Sequence, residues 1–251
     1  RQAEEIYGRA LNQDPGSLEA RFFLGRIAQA RAEDDRALAL YNQILSQTAE
    51  KSSPRDRAFF GLASFQTALT DYFRKEYAGA AAKVSDALEA ASHPSAELYG
   101  LLVRIRIESG NLAQAREDLE RGLKALPDSP EMRSLQAEIR LREGDKAGAR
   151  TVFAQILQGQ KDSEAAYLLV LQACSRSESN REGVAWAQRG IEAHPDSEAL
   201  AFQHAAFLER AGDFKKAEAA FRSLVQRYPD NAEALNYLGY MLADRGMKLD
   251  E

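Results

Sequence analysis

EALAFQHAAFLERAGDFKKAEAAFRSLVQRYPDN, residues 198–231, holds two amphipathic helical patterns joined at Gly212-Asp213 and stopped at Pro229. The first carries Leu200, Ala201, Phe207 and Leu208, with small Ala205 among them. The second carries Phe214, Ala217, Phe221, Leu224 and Val225 at the i, i+3, i+4, i+7 spacing of a one-faced helix. Gly212 suits a left-handed residue that ends a helix without a Cβ clash, and Pro229 lacks the N–H to continue the second. Ala205 and Ala217 mark where two backbones approach closely. Neither helix covers its own apolar stripe, so the pair needs neighbours.

A shift of 34 residues supplies them, with starts at Ala96, Pro130, Glu164, Glu198 and Ala232 and no gaps. The turn glycine recurs as Gly110, Gly144, Gly212 and Gly246, with Glu178 the exception. The small residue of the second helix recurs as Ala115, Ala149, Gly183 and Ala217. The terminating proline recurs as Pro127, Pro195 and Pro229, with Lys161 the exception. A fixed helix-turn-helix period of this length predicts an all-α solenoid of stacked pairs. The pattern resembles the tetratricopeptide repeat, in Leu238-Gly239, Leu242 and Gly246 and in Ala217, Phe221, Leu224 and Pro229. The resemblance implies a right-handed superhelix of antiparallel helix pairs, running as a single array over residues 1–251 and expected to be part of a longer chain.

The array divides as 1–17 (partial), 18–51, 52–95, 96–129, 130–163, 164–197, 198–231 and 232–251 (partial). The repeat at 52–95 breaks the spacing. Ser53-Pro54 is a strong helix start, and Phe59, Phe60, Leu62, Phe65, Leu69, Tyr72 and Phe73 follow without a breaker. This reads as a first helix lengthened by about two turns, with Tyr77–Ala91 its partner. Its aromatic cluster is expected to enlarge the core, with a docking surface as the alternative. The repeat at 164–197 has no turn glycine and places Gly183 and Gly190 inside its second helix, where each costs roughly 1 kcal/mol against alanine. It is expected to open before its neighbours, with Trp186 filling the volume the glycines leave.

Apolar residues make up 45% of the chain and charged residues 28%, as in an ordinary globular protein, and the net charge of −5 argues against nucleic acid or an anionic membrane as partner. No run of ~18 apolar residues is present to span a bilayer. Cys174, the one cysteine, falls on an apolar helical face, which excludes an intrachain disulfide and reads as core. His93 and His194 precede prolines at helix ends and read as terminal caps, and His204 reads as a core histidine. No catalytic, cofactor-binding or metal-binding motif appears, so the expectation is a non-enzymatic chain with no cofactor and no metal.

By the resemblance, first helices line a concave groove and their second, fifth, ninth and twelfth positions face a bound segment. These supply Phe22, Arg26 and Arg104 early, then Leu168, Gln172, Phe202, Asn236 and Tyr240, with Ser134 and Glu138 between. Phe202 and Tyr240 are the expected anchors, Asn236 a holder of peptide backbone, and Arg26 and Arg104 rim charges for an acidic partner. A carboxylate clamp of the kind found in chaperone-binding members is not expected, since Phe22 or Gly100 and Arg26 or Arg104 stand at its lysine and asparagine positions.

The run LNYLGYMLADRG from Leu235, followed by Leu249-Asp250-Glu251, resembles a subgroup of Gram-negative repeat lipoproteins of the outer membrane. That subgroup includes an adaptor for a periplasmic carboxyl-terminal processing protease. The resemblance implies a protein or peptide partner, a periplasmic location and a lipid anchor outside this segment. A cytoplasmic assembly or secretion adaptor, or the regulatory region of an enzyme, are the other readings.

Overall fold

The computed structural model describes residues 1–93 and 95–244. They fall into two compact units, divided after Pro127. The fold is all-α, a tetratricopeptide-type solenoid with fourteen helices and no strand among the described residues.

The first unit contains α1 (Gln2–Gln13), α2 (Leu18–Ala30), α3 (Asp34–Gln47), α4 (Pro54–Phe73), α5 (Tyr77–Ala90), α6 (Ala96–Glu108) and α7 (Leu112–Ala125). The second contains α8 (Pro130–Arg142), α9 (Lys146–Gly159), α10 (Glu164–Arg176), α11 (Asn180–Ala193), α12 (Glu198–Arg210), α13 (Phe214–Arg227) and α14 (Ala232–Asp244). Apart from α4, every first helix has 13 residues, and the second helices α3, α5, α7, α9, α11 and α13 have 14 each.

Serine starts the first helices. Ser17, Ser53, Ser95, Ser129, Ser163 and Ser197 each accept a bond from the amide three residues on, and Asn231 does the same for Ala234 at 2.7 Å. Each such cap is worth ~1 kcal/mol and fixes the register in which a helix begins. The turns inside the pairs require a left-handed residue. Gly110, Gly144 and Gly212 take φ of 78°, 83° and 85°, while Ala32, Lys75 and Glu178 take 59°, 63° and 55° at the same place in their own repeats. Where the terminating proline is missing, Lys161 and Asp162 turn the chain with φ of 52° and 50°. The turn expected at Gly246 lies outside the described residues.

Within the second unit, polar bonds at the repeat period stitch one pair to the next. Ser134 Oγ donates to the Leu169 carbonyl at 3.1 Å, Arg142 to that of Arg176 at 2.6 Å, and Asn180 to that of Arg210 at 3.2 Å. His194 sits 2.7 Å from the Asp162 carbonyl, so this helix-end histidine also ties repeat to repeat. The core runs between the pairs: Phe153, Ile156, Val170 and Leu171 with Cys174, Ala187 and Leu200, then Ala205, Phe221 and Leu224 with Ala234.

Two sequence expectations are corrected here. Trp186 does not fill space left by glycine: it meets Phe153 edge-on at 5.3 Å, with the Arg189 guanidinium over its ring at 4.4 Å. The space beside Gly183 belongs to Phe207, whose ring carbons would lie 2.3 Å from a Cβ at that position. The aromatic cluster of the long helix is only partly core. The buried side chains of α4 are Ala63, Ser64, Gln66, Thr67, Ala68 and Asp71; Phe59, Phe60, Phe65 and Tyr72 are half-buried, and Leu62 and Phe73 are exposed. The cause is close helix approach: a Cβ at Gly61 would meet Ala90 Cβ at 3.4 Å and the Ala87 carbonyl at 3.6 Å, so small residues hold the contact and rings lie to its sides.

The lengthening of α4 is as expected: 20 residues, started by a capping box between Ser53 and Asp56. Its partner α5 kept the ordinary 14, so the first turns of α4 run past the end of α5 near Ala90. Arg57, Ala58, Gly61, Leu62 and Phe65 there face Ala87, Ala90 and Leu98 across a hollow of about 350 Å³.

Candidate partner-binding groove

In the second unit the site is built from the first helices α10, α12 and α14. Each begins at a polar cap, and each carries an acid in its first turn: Glu164, Glu198 and Glu233. An acid there is favoured by the unpaired amides of the helix start, worth ~0.3–1 kcal/mol at an exposed site. One turn further along α12 comes Phe202. It is half-buried, edge-on to both Phe221 and Tyr237 with each ring centroid at 5.7 Å. Tyr237 in turn stacks on Phe221 at 4.8 Å and donates its hydroxyl to Glu209 at 3.3 Å. Burial first, and Glu209 beside it, raise the Tyr237 phenol above its ordinary value.

Phe202 therefore has one covered side and one open side. The open side gives onto a hollow of about 480 Å³ lined by Ala199, Gln203, Ser197, Asn231 and the carboxylates Glu164, Asp196, Glu198 and Glu233. On α14, Asn236 is exposed and Tyr240 is 75% exposed. On α10, Gln172 is exposed, while Leu168 is half-buried against the core. An open aromatic shelf beside hydrogen-bonding groups can hold an extended polypeptide by apolar contact and backbone bonding together.

The first unit differs. Phe22, expected to face a partner, is only 7% exposed and packs on Tyr41 at 5.9 Å and edge-on to Phe59 at 6.2 Å. The lengthened α4 brings Phe59 over it, so Phe22 is core. Its neighbour Phe23 is exposed instead, stacked on Tyr7 at 4.9 Å. Ser134 and Glu138, placed on the groove by register, are also buried, Glu138 with Arg142 at 3.2 Å. Adjacent first helices pack closely enough to close those positions. Arg26 is exposed, as expected. Arg104 is half-buried, and its Nε is a buried donor with no hydrogen-bond partner among the described residues. Nearby, the Tyr72 hydroxyl donates to Glu108 at 2.5 Å, and burial followed by that carboxylate pushes the phenol up to about 12. A buried guanidinium N–H left without an acceptor is costly.

Tyr237 and the three first-turn glutamates were missed in the sequence. Glu164 and Glu198 share one register position and Glu233 lies one residue further into its helix, so each alone reads only as a helix start. The groups with reactive potential stay inert. Cys174 is fully buried, and desolvation pushes its thiol up to about 12. His204 is half-buried, and desolvation lowers its basicity. Among the described residues no group of three or more His, Cys, Asp or Glu is placed to hold a metal ion. No described helix is long and apolar enough to cross a membrane.

Comparison with known families agrees with the geometry. One model described as tetratricopeptide repeat matches residues 1–55 and 74–139, and a second with the same description matches residues 198–241. The chain belongs to the tetratricopeptide-repeat family. A repeat-containing protein of Pseudomonas aeruginosa, PA4667, is 32% identical over 151 residues, 57% of this chain and 25% of that protein. The chain thus spans about a quarter of that relative's length. Among solved structures, a tetratricopeptide repeat protein from Parabacteroides merdae superposes with TM-score 0.65 at 15% identity, covering 95% of this chain and 90% of the other. The Pseudomonas aeruginosa protein pilF gives TM-score 0.56 at 20% identity, covering 83% and 88%. At those identities the likeness is one of fold. Tetratricopeptide-repeat proteins in general are non-enzymatic scaffolds for other proteins, and this fold supports that role here.

Proposed function

We propose that this tetratricopeptide chain holds a segment of a partner protein along the α10–α12–α14 face of its second unit. The observation that carries the reading is Phe202, a ring fixed on one side by Phe221 and Tyr237 and open on the other to a hollow of about 480 Å³. Tyr240 extends the apolar contact along α14, and Asn236 and Gln172 offer side-chain amides to a bound backbone. Arg26 and Arg104 give the first unit a place for acidic groups.

The finer proposal is an adaptor, located on the periplasmic side of the outer membrane, that brings substrates to a carboxyl-terminal processing protease. What supports it is the resemblance of residues 235–251 to such adaptors.

Capture from a cell extract with the intact chain, followed by mass spectrometry, tests both levels. Phe202→Ala and Tyr240→Ala are each expected to weaken the captured partner by ~1–3 kcal/mol without loss of helicity. Unchanged binding by folded variants removes the groove assignment, and capture with no protease in the eluate removes the adaptor proposal alone.

A further inference from the structure

We propose that the Phe202 hollow selects a basic segment: an apolar side chain laid on the open face of Phe202, with lysine or arginine side chains flanking it against Glu164, Glu198 and Glu233. This rests on the groove reading above and adds the chemistry of the partner.

Four carboxylates line the hollow. Among the described residues only Asp196 has a cation of its own, Arg227. Glu164 is held by a neutral donor, the Ser197 hydroxyl at 2.7 Å, and Glu198 by the Asn231 side-chain amide. Glu233 has no ion pair among the described residues. Neutral donors orient a carboxylate and leave its charge in place. The result is an apolar ring framed by three negative charges without ion pairs among the described residues, all in the first turns of successive first helices. Charges of one sign around a partly dry surface attract the opposite sign and repel their own. The helix starts account for each glutamate singly, but they do not require a hollow with an open aromatic floor between them.

The test uses three fluorescein-labelled synthetic peptides of equal length, each with the same pair of leucines and otherwise glycine with lysine, glutamate or serine. Binding to the intact chain is followed by anisotropy at low and physiological salt. The lysine peptide is expected to bind best, with an affinity that falls as salt rises. The triple variant Glu164→Gln, Glu198→Gln, Glu233→Gln should weaken it roughly tenfold or more. A control triple on exposed acids of the first unit, Glu89→Gln, Glu117→Gln, Glu120→Gln, removes the same net charge and should leave binding unchanged. Phe202→Ala should weaken every peptide that binds there. Equal weakening by both triples would mean general attraction to an acidic protein and would overturn the proposal. Serine or glutamate peptides that bind as well as the lysine peptide, and depend on Phe202, would overturn the basic preference while the groove reading stands. If no peptide binds in a Phe202-dependent way, both fall.

Discussion

The repeats at 164–197 and 198–231 are neighbours of one length, yet they place their glycines in opposite positions. The later one has Gly212 in the turn and Ala217 inside its second helix; the earlier one has Glu178 in the turn and Gly183 inside. The backbone ignores the exchange: φ is 85° at Gly212 and 55° at Glu178, and α11 and α13 each run 14 residues. Turn geometry is therefore imposed by the stacking of the pairs, and a residue that dislikes it is made to comply. The helix glycine answers to packing instead. Phe207, fully buried on α12, lies where a side chain on Gly183 would be, whereas Ala217 is itself buried and accommodated.

The largest effect is expected at that contact. Helix propensity alone says that Gly183→Ala stabilises α11 by roughly 1 kcal/mol. The ring 2.3 Å from the new methyl says the reverse, since overpacking costs ~1–3 kcal/mol and Phe207 is fully buried. We expect net destabilisation in urea unfolding. In a Phe207→Ala background, itself ~3–5 kcal/mol less stable, the same substitution should become neutral or favourable. An alanine that stabilises the parent chain would show that Phe207 yields easily and that the two helices differ by accident of sequence.

Glu178→Gly should raise stability by about 1 kcal/mol, because it removes the penalty of a non-glycine residue at φ 55°. The reciprocal Gly212→Ala should lower it by a similar amount. Amide hydrogen exchange then tests whether 164–197 is the first repeat to open. If Glu178 is the reason, the glycine variant should bring the protection of residues 175–194 up to that of 198–228. If protection is already equal in the parent, the contacts of Gly183 with Phe207 and of Gly190 with Leu200 and Tyr167 outweigh the strain of the turn.

The same two repeats show what a sequence reveals. The period, the helix boundaries and the buried Cys174 follow from residue type and spacing, because every repeat restates them. The long α4 was legible for the same reason: no breaker stands between Pro54 and Phe73. Register placed Phe202 and Tyr240 on first helices, where Phe202 is half-buried and Tyr240 exposed. The burial of Phe22 was not, because it depends on Phe59 of an irregular helix that no other repeat predicts. The meaning of Gly183 was hidden too, since its partner Phe207 belongs to the next repeat and the pairing exists only once the stack forms.

The smallest predicted effect is one of pH, and it also separates the two repeats. Val170 in α10 is fully buried, and the equivalent place in α12 holds His204, half-buried and with its basicity lowered by desolvation. A histidine whose folded pKa lies below its unfolded value binds protons more readily when unfolded. Below about pH 6.5 the unfolded chain is therefore favoured, and stability should rise as pH climbs to that value and then level off with respect to this group. His204→Gln should flatten the slope of urea-unfolding stability between pH 5 and 7 relative to the parent. A variant with an unchanged slope would show that burial of His204 is not the source of the acid sensitivity.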